Sequence, residues 1–447
     1  TRSEEAVHFA ALQHPRPGSF LLIGGGLAGH IKEVVKYQPD RIDYCEADPW
    51  IYRLGRIHFP EVQSAYLHFI PEDGRSWLMK SGNLYDVVIS TAGDPVTLGW
   101  NRYFTLEFYE EVKQHLPPDG IFCMQLSTGG NYVNKEGSAL LGINYHTLKE
   151  VFTHVALVPG TSTYFIASEV PLSLDYPALL NQHQVPTTYV HPDYLDAMQL
   201  GFDSEQLLLR IQDEKPLVNR DLRPRLFFAS LSGLESRMGQ HALGITGVLA
   251  SLLLILLWFL YNPVKSAMYA SGFSGAGIQM VLIMVMQSFY GFAYLVAPLM
   301  ITVFMGGIVL GTLLLPKVWK RPSISGLSIL SVLLAMVSAL CLALLKLDTP
   351  FQSGLTGQMI LGLLNIITGA LVGAVFALAV NLNGKSSPYD PGILFSADLT
   401  GAALGTLLPV IFLLPLIGVM NTFILLGGIS VLTALRLLIN ARNTGDG

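Results

Sequence analysis

The chain has 447 residues, of which 51% are hydrophobic and only 13% charged, and its formal net charge is −5. A soluble protein carries roughly 25% charged residues, so the composition excludes a chain that faces water throughout. The modest negative charge and the lack of a basic run argue against a nucleic-acid partner.

Thr1–Leu12 reads as an amphipathic helix. No Met, signal peptide or charged-then-apolar leader precedes it, as expected of a fragment or of a domain whose upstream half is missing. Phe20–Ile23 is a short apolar run that suits a buried parallel strand. Gly24, Gly26 and Gly29 follow with the spacing G-x-G-x-x-G, and Gly25 lies between the first two. His30–Tyr37 puts Ile31, Val34 and Val35 on one helical face, and a second strand, Ile42–Cys45, ends in Glu46. An acid about 20 residues beyond the glycines is where a nucleotide-binding βαβ unit holds a ribose. Glycine lets the backbone turn sharply against a ligand, and a carboxylate accepts two hydrogen bonds from a ribose diol. An adenosine-type ligand is therefore expected here; the alternative is an unoccupied structural βαβ turn.

The alternation continues down the chain. Pro49–His58 is a helix and Ala65–Ile70 a strand, followed by Asp73-Gly74. Leu84–Ser90 is a strand, followed by Thr91-Ala92-Gly93-Asp94-Pro95. Thr105–His115 is a helix, Ile121–Gln125 a strand and Gly137–Val151 a helix, with strands near Val155–Val158 and Tyr164–Ala167. Such alternation predicts a doubly wound, mainly parallel sheet that takes ligands at the carboxyl ends of its strands. Glu46, Asp73 and Asp94 each fall just beyond a strand end. Singly, each also reads as a turn or cap residue. Cys45, Cys123 and Cys341 are far apart and read as buried small hydrophobes, so neither a disulfide framework nor a metal site is expected.

These residues carry a resemblance to the spermidine synthase family, the aminopropyltransferases, over roughly Ser3 to Phe228. The family's GGGDGG loop, its acid after the second strand, its Asp-Gly after the third and its D-x-x-D-P after the fourth read here as GGGLAG at Gly24–Gly29, Glu46, Asp73-Gly74 and Thr91–Pro95. The segments YFTLEFYEEVKQHLPPDGIFCMQ and PGTSTYFIAS resemble the family in order and spacing. The resemblance implies an α/β Rossmann-like domain of the class I methyltransferase type. It implies that Gly24, Gly25, Gly26, Gly29 and Gly74 line a site for decarboxylated S-adenosylmethionine as co-substrate, with no tightly bound cofactor. Glu46 would hold the ribose hydroxyls, Asp73 the adenine amino group, and Asp94 would be the carboxylate beside the attacking amine. An amine must be neutral to attack, so a proton-accepting carboxylate serves the reaction. A polycationic acceptor also calls for several acids around it.

The departures are informative. Leu27 stands where the glycine loop has an acid and Thr91 stands at the first Asp of D-x-x-D-P; the domain is also expected to lack the family's N-terminal β-domain. The nucleotide-contacting positions survive better than the amine-contacting ones. The acceptor is then a less charged amine or a related small molecule, or the domain is catalytically silent.

Val185–Ser236 closes this domain, taken as residues 1–236. In Pro216–Phe228, Asp221 with Arg220, Arg223 and Arg225 reads as a solvated charged surface or, less simply, as a site. From about His241 the chain becomes a series of long apolar runs. Spans of the necessary ~20 residues are expected near 242–261, 275–291, 293–315, 325–346, 357–381, 393–415 and 420–439. The expected second domain is thus an all-α transmembrane bundle of about seven helices over residues 241–440. Trp258, Tyr261 and Trp319 sit near span ends, as interfacial aromatics do. Gly307 with Gly311, Gly369 with Gly373, and Gly401 with Gly405 are small-residue pairs that let helices pack closely. Asp398 lies within a span and reads either as a functional group or as a helix-end residue hydrogen-bonded to a neighbour. Phe395–Pro415 and Ser271–Gly311 resemble the membrane part of multi-pass spermidine synthase-like proteins.

The expected whole is a multi-pass protein of the plasma (inner) membrane, with the bilayer and a small-molecule amine as partners and room for a homo-oligomer. Basic residues after the third span and at the C-terminus would put the N-terminal domain outside by the positive-inside rule. A cytosolic co-substrate puts it inside, and the cytosolic placement is the one expected. The function read from all this is a membrane-bound aminopropyltransferase. The alternatives are a transporter or receptor with a degenerate nucleotide-sensing domain, and a methyltransferase using S-adenosylmethionine itself.

Overall fold

The computed structural model describes all residues except 26, 28, 59–65, 128–134, 213–215, 239–241, 292, 320–321, 347–354, 383–390 and 445–447. The chain divides into two compact units, Thr1–Leu234 and Glu235–Gly447.

The first unit runs α1 (Arg2–Ala11), β1 (Ser19–Ile23), α2 (His30–Val35), β2 (Arg41–Cys45), α3 (Pro49–His58), β3 (Leu67–Ile70), α4 (Gly74–Leu78) and β4 (Val87–Ser90). It continues with α5 (Leu98–Asn101), α6 (Leu106–Gln114), β5 (Ile121–Leu126), α7 (Lys135–Lys149), β6 (His154–Pro159), β7 (Thr163–Ser168), α8 (Tyr176–His183) and α9 (Ala197–Gln212), and the boundary at Leu234 falls within α10 (Arg225–Met238). One sheet holds the strands in the order β3-β2-β1-β4-β5-β7-β6. The first five are parallel, and β7 runs antiparallel to both β5 and β6. The sheet is therefore mixed, Rossmann-like and of the methyltransferase type.

Alternation along β1 builds a core on each face of the sheet, because successive side chains point to opposite sides. Leu21 and Ile23 join Val88, Phe104, Phe108 and Phe122 on one face. Phe20 and Leu22 join Val7, Phe9, Ile31, Val34 and Ile89 on the other. The buried side of α1 belongs to this second layer.

Two expectations shift for physical reasons. The strand expected from Leu84 starts at Val87, because the Asp86 carboxylate accepts the Gly18 and Ser19 N–H groups, both at 2.8 Å, and ties up the strand entrance. Helices α4 and α5 are too short for periodicity to reveal them; their N-caps Asp73 and Thr97, which accept from Ser76 N–H and Trp100 N–H, are the local cause.

The second unit is helical: α11 (Ala242–Leu260), α12 (Pro263–Tyr290), α13 (Ala293–Val318), α14 (Ile324–Lys346), α15 (Leu355–Asn381), α16 (Pro391–Leu408), a π-helical turn (Pro409–Leu413) and α17 (Leu414–Thr444). Among the described residues, five stretches are long and apolar enough to cross a membrane, the last being Pro391–Arg442. Gly247–Leu260 is a shorter apolar helix. The helix expected to begin at 275 begins at Pro263, where Asn262 accepts the Lys265 N–H. Its first turns carry small residues, Ser266, Ala267, Ala270, Ser271 and Gly272, which are buried but weakly apolar. A hydropathy window therefore places the start too late. The small-residue pairs lie where helices meet. Side chains at Gly307 and Gly311 would collide with α15 backbone at Ile366 and Ala370. Side chains at Gly401 and Gly405 would collide with the Tyr269 and Phe273 carbonyls of α12.

Candidate functional site at the carboxyl edge of the sheet

Parallel strands β3, β2, β1 and β4 end together at Ile70, Cys45, Ile23 and Ser90. The segments that follow each strand therefore meet at one edge. This brings the glycine loop, Glu46, Asp73 and Asp94 to the same side of the sheet.

The loop after β1 turns back through Gly24 (φ +71°), Gly25 (φ +65°) and Gly29 (φ +103°), a backbone region that suits glycine. Gly26 lies outside the described residues. The buried His30 closes the loop: its Nδ1 lies 2.7 Å from the Gly25 carbonyl, so the proton sits on Nδ1. Burial lowers the His30 pKa and keeps the ring neutral. Among the described residues its buried Nε2 has no hydrogen-bond partner.

Glu46 follows β2, half-buried, with its N–H donated to the Ile70 carbonyl at 3.1 Å. Its carboxylate accepts the Tyr44 hydroxyl and the Asp48 N–H, each at 3.2 Å. These bonds hold the side chain over the strand end.

Asp73 is more heavily committed. Its Oδ1 accepts Ser76 N–H at 3.0 Å, Ser76 Oγ–H at 3.1 Å and Arg102 Nη1–H at 2.7 Å. Its Oδ2 accepts the Tyr103 hydroxyl. Burial opposes the charge of Asp73, but Arg102, Tyr103 and Ser76 outweigh it and hold the carboxyl below its ordinary range. Oδ1 thus accepts three of these donors and Oδ2 one, and with about two acceptor positions per oxygen the room for a ligand amino group is at Oδ2, beside the Tyr103 hydroxyl. Gly74 admits α4 close to β1: a Cβ there would lie 2.9 Å from Ile23 Cγ1.

Asp94 sits in the loop after β4, half-buried, and its Oδ1 accepts Ser127 N–H at 2.8 Å. That bond ties the β4 loop to the end of β5. The two departures from the family pattern also have definite places. Thr91 donates its hydroxyl to the Ile23 carbonyl at 3.2 Å and packs over Gly25. Leu27 packs against Gly55 of α3, where a Cβ would lie 2.9 Å from Leu27 Cγ.

Behind Asp73 lies an ion-pair network that local sequence did not reveal. Arg75, 5% exposed, donates to both oxygens of Asp221 at 2.8 and 2.6 Å and to the Arg102 carbonyl at 3.1 Å. It also reaches Glu111 at 3.4 Å. Glu107 accepts the Asp221 N–H, and burial with the nearby Asp221 charge raises its pKa to about 7. Asp221 is 3% exposed, so the reading of its segment as a solvated charged surface is corrected for Asp221, while Arg220 and Arg223 are exposed as expected. The cause is a bidentate partner 146 residues away in the chain. Arg102, Tyr103 and His30 were also missed; the only local signal was an Arg-Tyr pair shortly before the N-cap Thr105 of α6.

Residues 1–165 match the model of the Spermine/spermidine synthase domain. Polyamine aminopropyltransferase of Buchnera aphidicola is 32% identical over 155 residues, covering 33% of this chain and 52% of that protein. Spermidine synthase of Dictyostelium discoideum is 26% identical over 202 residues, covering 42% of this chain and 70% of that protein. The chain thus spans about half the length of the first of these curated relatives. Spermidine synthase from Thermotoga maritima is a structural neighbour at 22% identity and a TM-score of 0.38, covering 46% of this chain and 74% of that one. A spermidine synthase in complex with the transition state analogue AdoDATO has 21% identity and a TM-score of 0.39, covering 46% of this chain and 75% of that one. The matched residues 1–165 contain all the site residues named above except Asp221.

Proposed function

We propose that the chain is a membrane-bound aminopropyltransferase that takes decarboxylated S-adenosylmethionine and passes its aminopropyl group to an amine. The observation that carries the reading is the meeting of the positive-φ glycine loop, Glu46, Asp73 and Asp94 at one sheet edge. Glu46 takes the ribose hydroxyls and Asp73 faces the adenine. Asp94 lies beside the acceptor amine. The amine lone pair attacks the carbon bonded to the sulfonium, the C–S bond breaks, and its electrons leave on sulfur as the neutral thioether. The new ammonium gives up a proton toward Asp94. Holding the amine in line with the C–S bond supplies much of the remaining acceleration. Leu27 and Thr91 leave fewer charges near the acceptor, which favours an amine of lower charge than a polyamine. The apolar helices of the second unit hold the chain in the plasma membrane, with the N-terminal unit on the cytosolic side.

The test is calorimetric titration of the detergent-purified chain with decarboxylated S-adenosylmethionine, S-adenosylmethionine and methylthioadenosine, with Glu46→Ala alongside. Selective binding of the decarboxylated form and its thioether, lost in the variant, supports the reading. Preference for S-adenosylmethionine with a methylated product replaces it by a methyltransferase. No binding overturns it. Asp94→Asn is expected to lower turnover by about 10²–10⁴-fold; unchanged turnover would remove Asp94 from this role.

A transport function has one observation in its favour. Asp398 Oδ1 is buried opposite Gly272 and has no hydrogen-bond partner among the described residues. Absence of proton or solute flux in proteoliposomes would dismiss it.

A further inference from the structure

Among the described residues of the N-terminal unit, α3 presents a concentrated exposed apolar surface. Trp50, Ile51, Leu54 and Ile57 are 66%, 42%, 55% and 74% exposed. Trp50, Leu54 and Ile57 follow i, i+4, i+7 and so lie on one stripe. The opposite side of the helix faces the protein: Gly55 is buried under Leu27, and Tyr52 stacks on Phe69 at 3.6 Å. The exposure is thus a property of one face and not of a loosely held helix.

The charges on α3 are all of one sign. Arg53 and Arg56 are exposed and the helix itself contains no acid; the exposed acid beside it, Asp48, accepts the Trp50 N–H at 2.8 Å. Arg53 lies 4.8 Å from the centre of the Trp50 ring, which sets a cation at the border of the apolar stripe. An apolar face carrying tryptophan and flanked by arginines is the composition of a helix that lies in a membrane interface. Its apolar residues enter the headgroup–acyl boundary, and its cations meet anionic lipid phosphates.

We infer that α3 docks on the surface of an anionic lipid bilayer. This rests on the membrane reading above, because the apolar helices of the second unit are what bring the chain to a bilayer. The glycine loop lies directly behind the docked helix, through Leu27 on Gly55, so lipid contact and the nucleotide loop share one structural element.

The experiment uses the full chain in proteoliposomes of phosphatidylcholine with or without phosphatidylglycerol. Cys45, Cys123 and Cys341 are buried, so a fluorophore can be directed to an introduced cysteine. Three labelled variants are compared: Ile57→Cys, Met336→Cys on a 60%-exposed position of α14, and Gln182→Cys on an exposed position of α8. Quenching is read with brominated lipid and with aqueous iodide. Docking predicts lipid quenching at position 57 about twofold or more above that at position 182, strongest with phosphatidylglycerol and reduced by Arg53→Glu. Lipid quenching at 336 without any at 57 overturns docking while keeping the membrane reading. A label at 57 shielded from both quenchers means that protein covers the face, and this also overturns docking. No lipid quenching at 336 removes the membrane reading and docking with it.

Discussion

Thr91 closes over Gly25: a Cβ added to Gly25 would lie 2.9 Å from Thr91 Cβ, closer than real side chains approach. The residue that departs from the family pattern therefore fills the space above the glycine loop. The loop and the β4 end are one packed unit, further tied by the Thr91 N–H and hydroxyl to the Ile23 carbonyl at 3.0 and 3.2 Å.

Gly25→Ala should meet two obstacles, the positive φ and the Thr91 side chain. A left-handed conformation costs an L-residue about 1–2 kcal/mol and overpacking adds about 1–3 kcal/mol. Thr91→Gly in the same chain should recover the second cost but not the first. Thermal unfolding of the single and double variants is the measurement, and strictly additive effects would show that the two positions do not touch.

Tyr103→Phe should tighten binding of an adenosyl ligand while lowering stability slightly. Removing the hydroxyl frees Asp73 Oδ2, the atom that the proposed contact to an adenine amino group would use. A hydrogen bond to a charged group makes the expected gain about tenfold in affinity. Weaker binding by calorimetry would mean instead that Tyr103 holds Asp73 in its binding position.

Asp221→Ala leaves the Arg75 guanidinium buried without its bidentate partner. Breaking such a pair from one side costs about 3–5 kcal/mol, whereas an apolar replacement of both partners is often nearly neutral. Arg75→Met with Asp221→Leu should therefore recover most of the loss. Equal destabilisation of the single and double variants in thermal unfolding would contradict the pairing.

The pH dependence of stability should have two limbs with opposite signs. The Glu107 carboxyl is raised from 4.5 to about 7, so the folded state holds a proton that the unfolded state releases. Stability then falls as pH rises from 4.5 to about 7. Glu33 moves the other way: burial raises its pKa, but hydrogen bonds from His8 and Lys36 prevail and bring it from 4.5 to about 2. Its contribution is present above pH 4.5 and is lost as pH falls through about 2. Glu107→Gln should flatten the upper limb and Glu33→Gln the lower one in melting temperatures measured across pH.

By itself the sequence determined the features that repeat over short distances. Apolar runs bounded by glycine and acids identified β1 and β2 with Gly24, Gly29 and Glu46 at their ends, and α3 was legible over Pro49–His58. Long apolar runs identified the helices of the second unit, except where the small residues after Pro263 hid the start of α12. These signals are local because backbone periodicity and hydropathy act within a few turns. The tertiary structure alone decided which distant groups meet. It made β7 antiparallel, set Arg102 and Tyr103 on Asp73, paired Arg75 with Asp221, and laid Leu27 against Gly55 so that the apolar stripe of α3 faces outward. No short window of sequence encodes such pairings, because their energies exist only once burial has removed water from both partners.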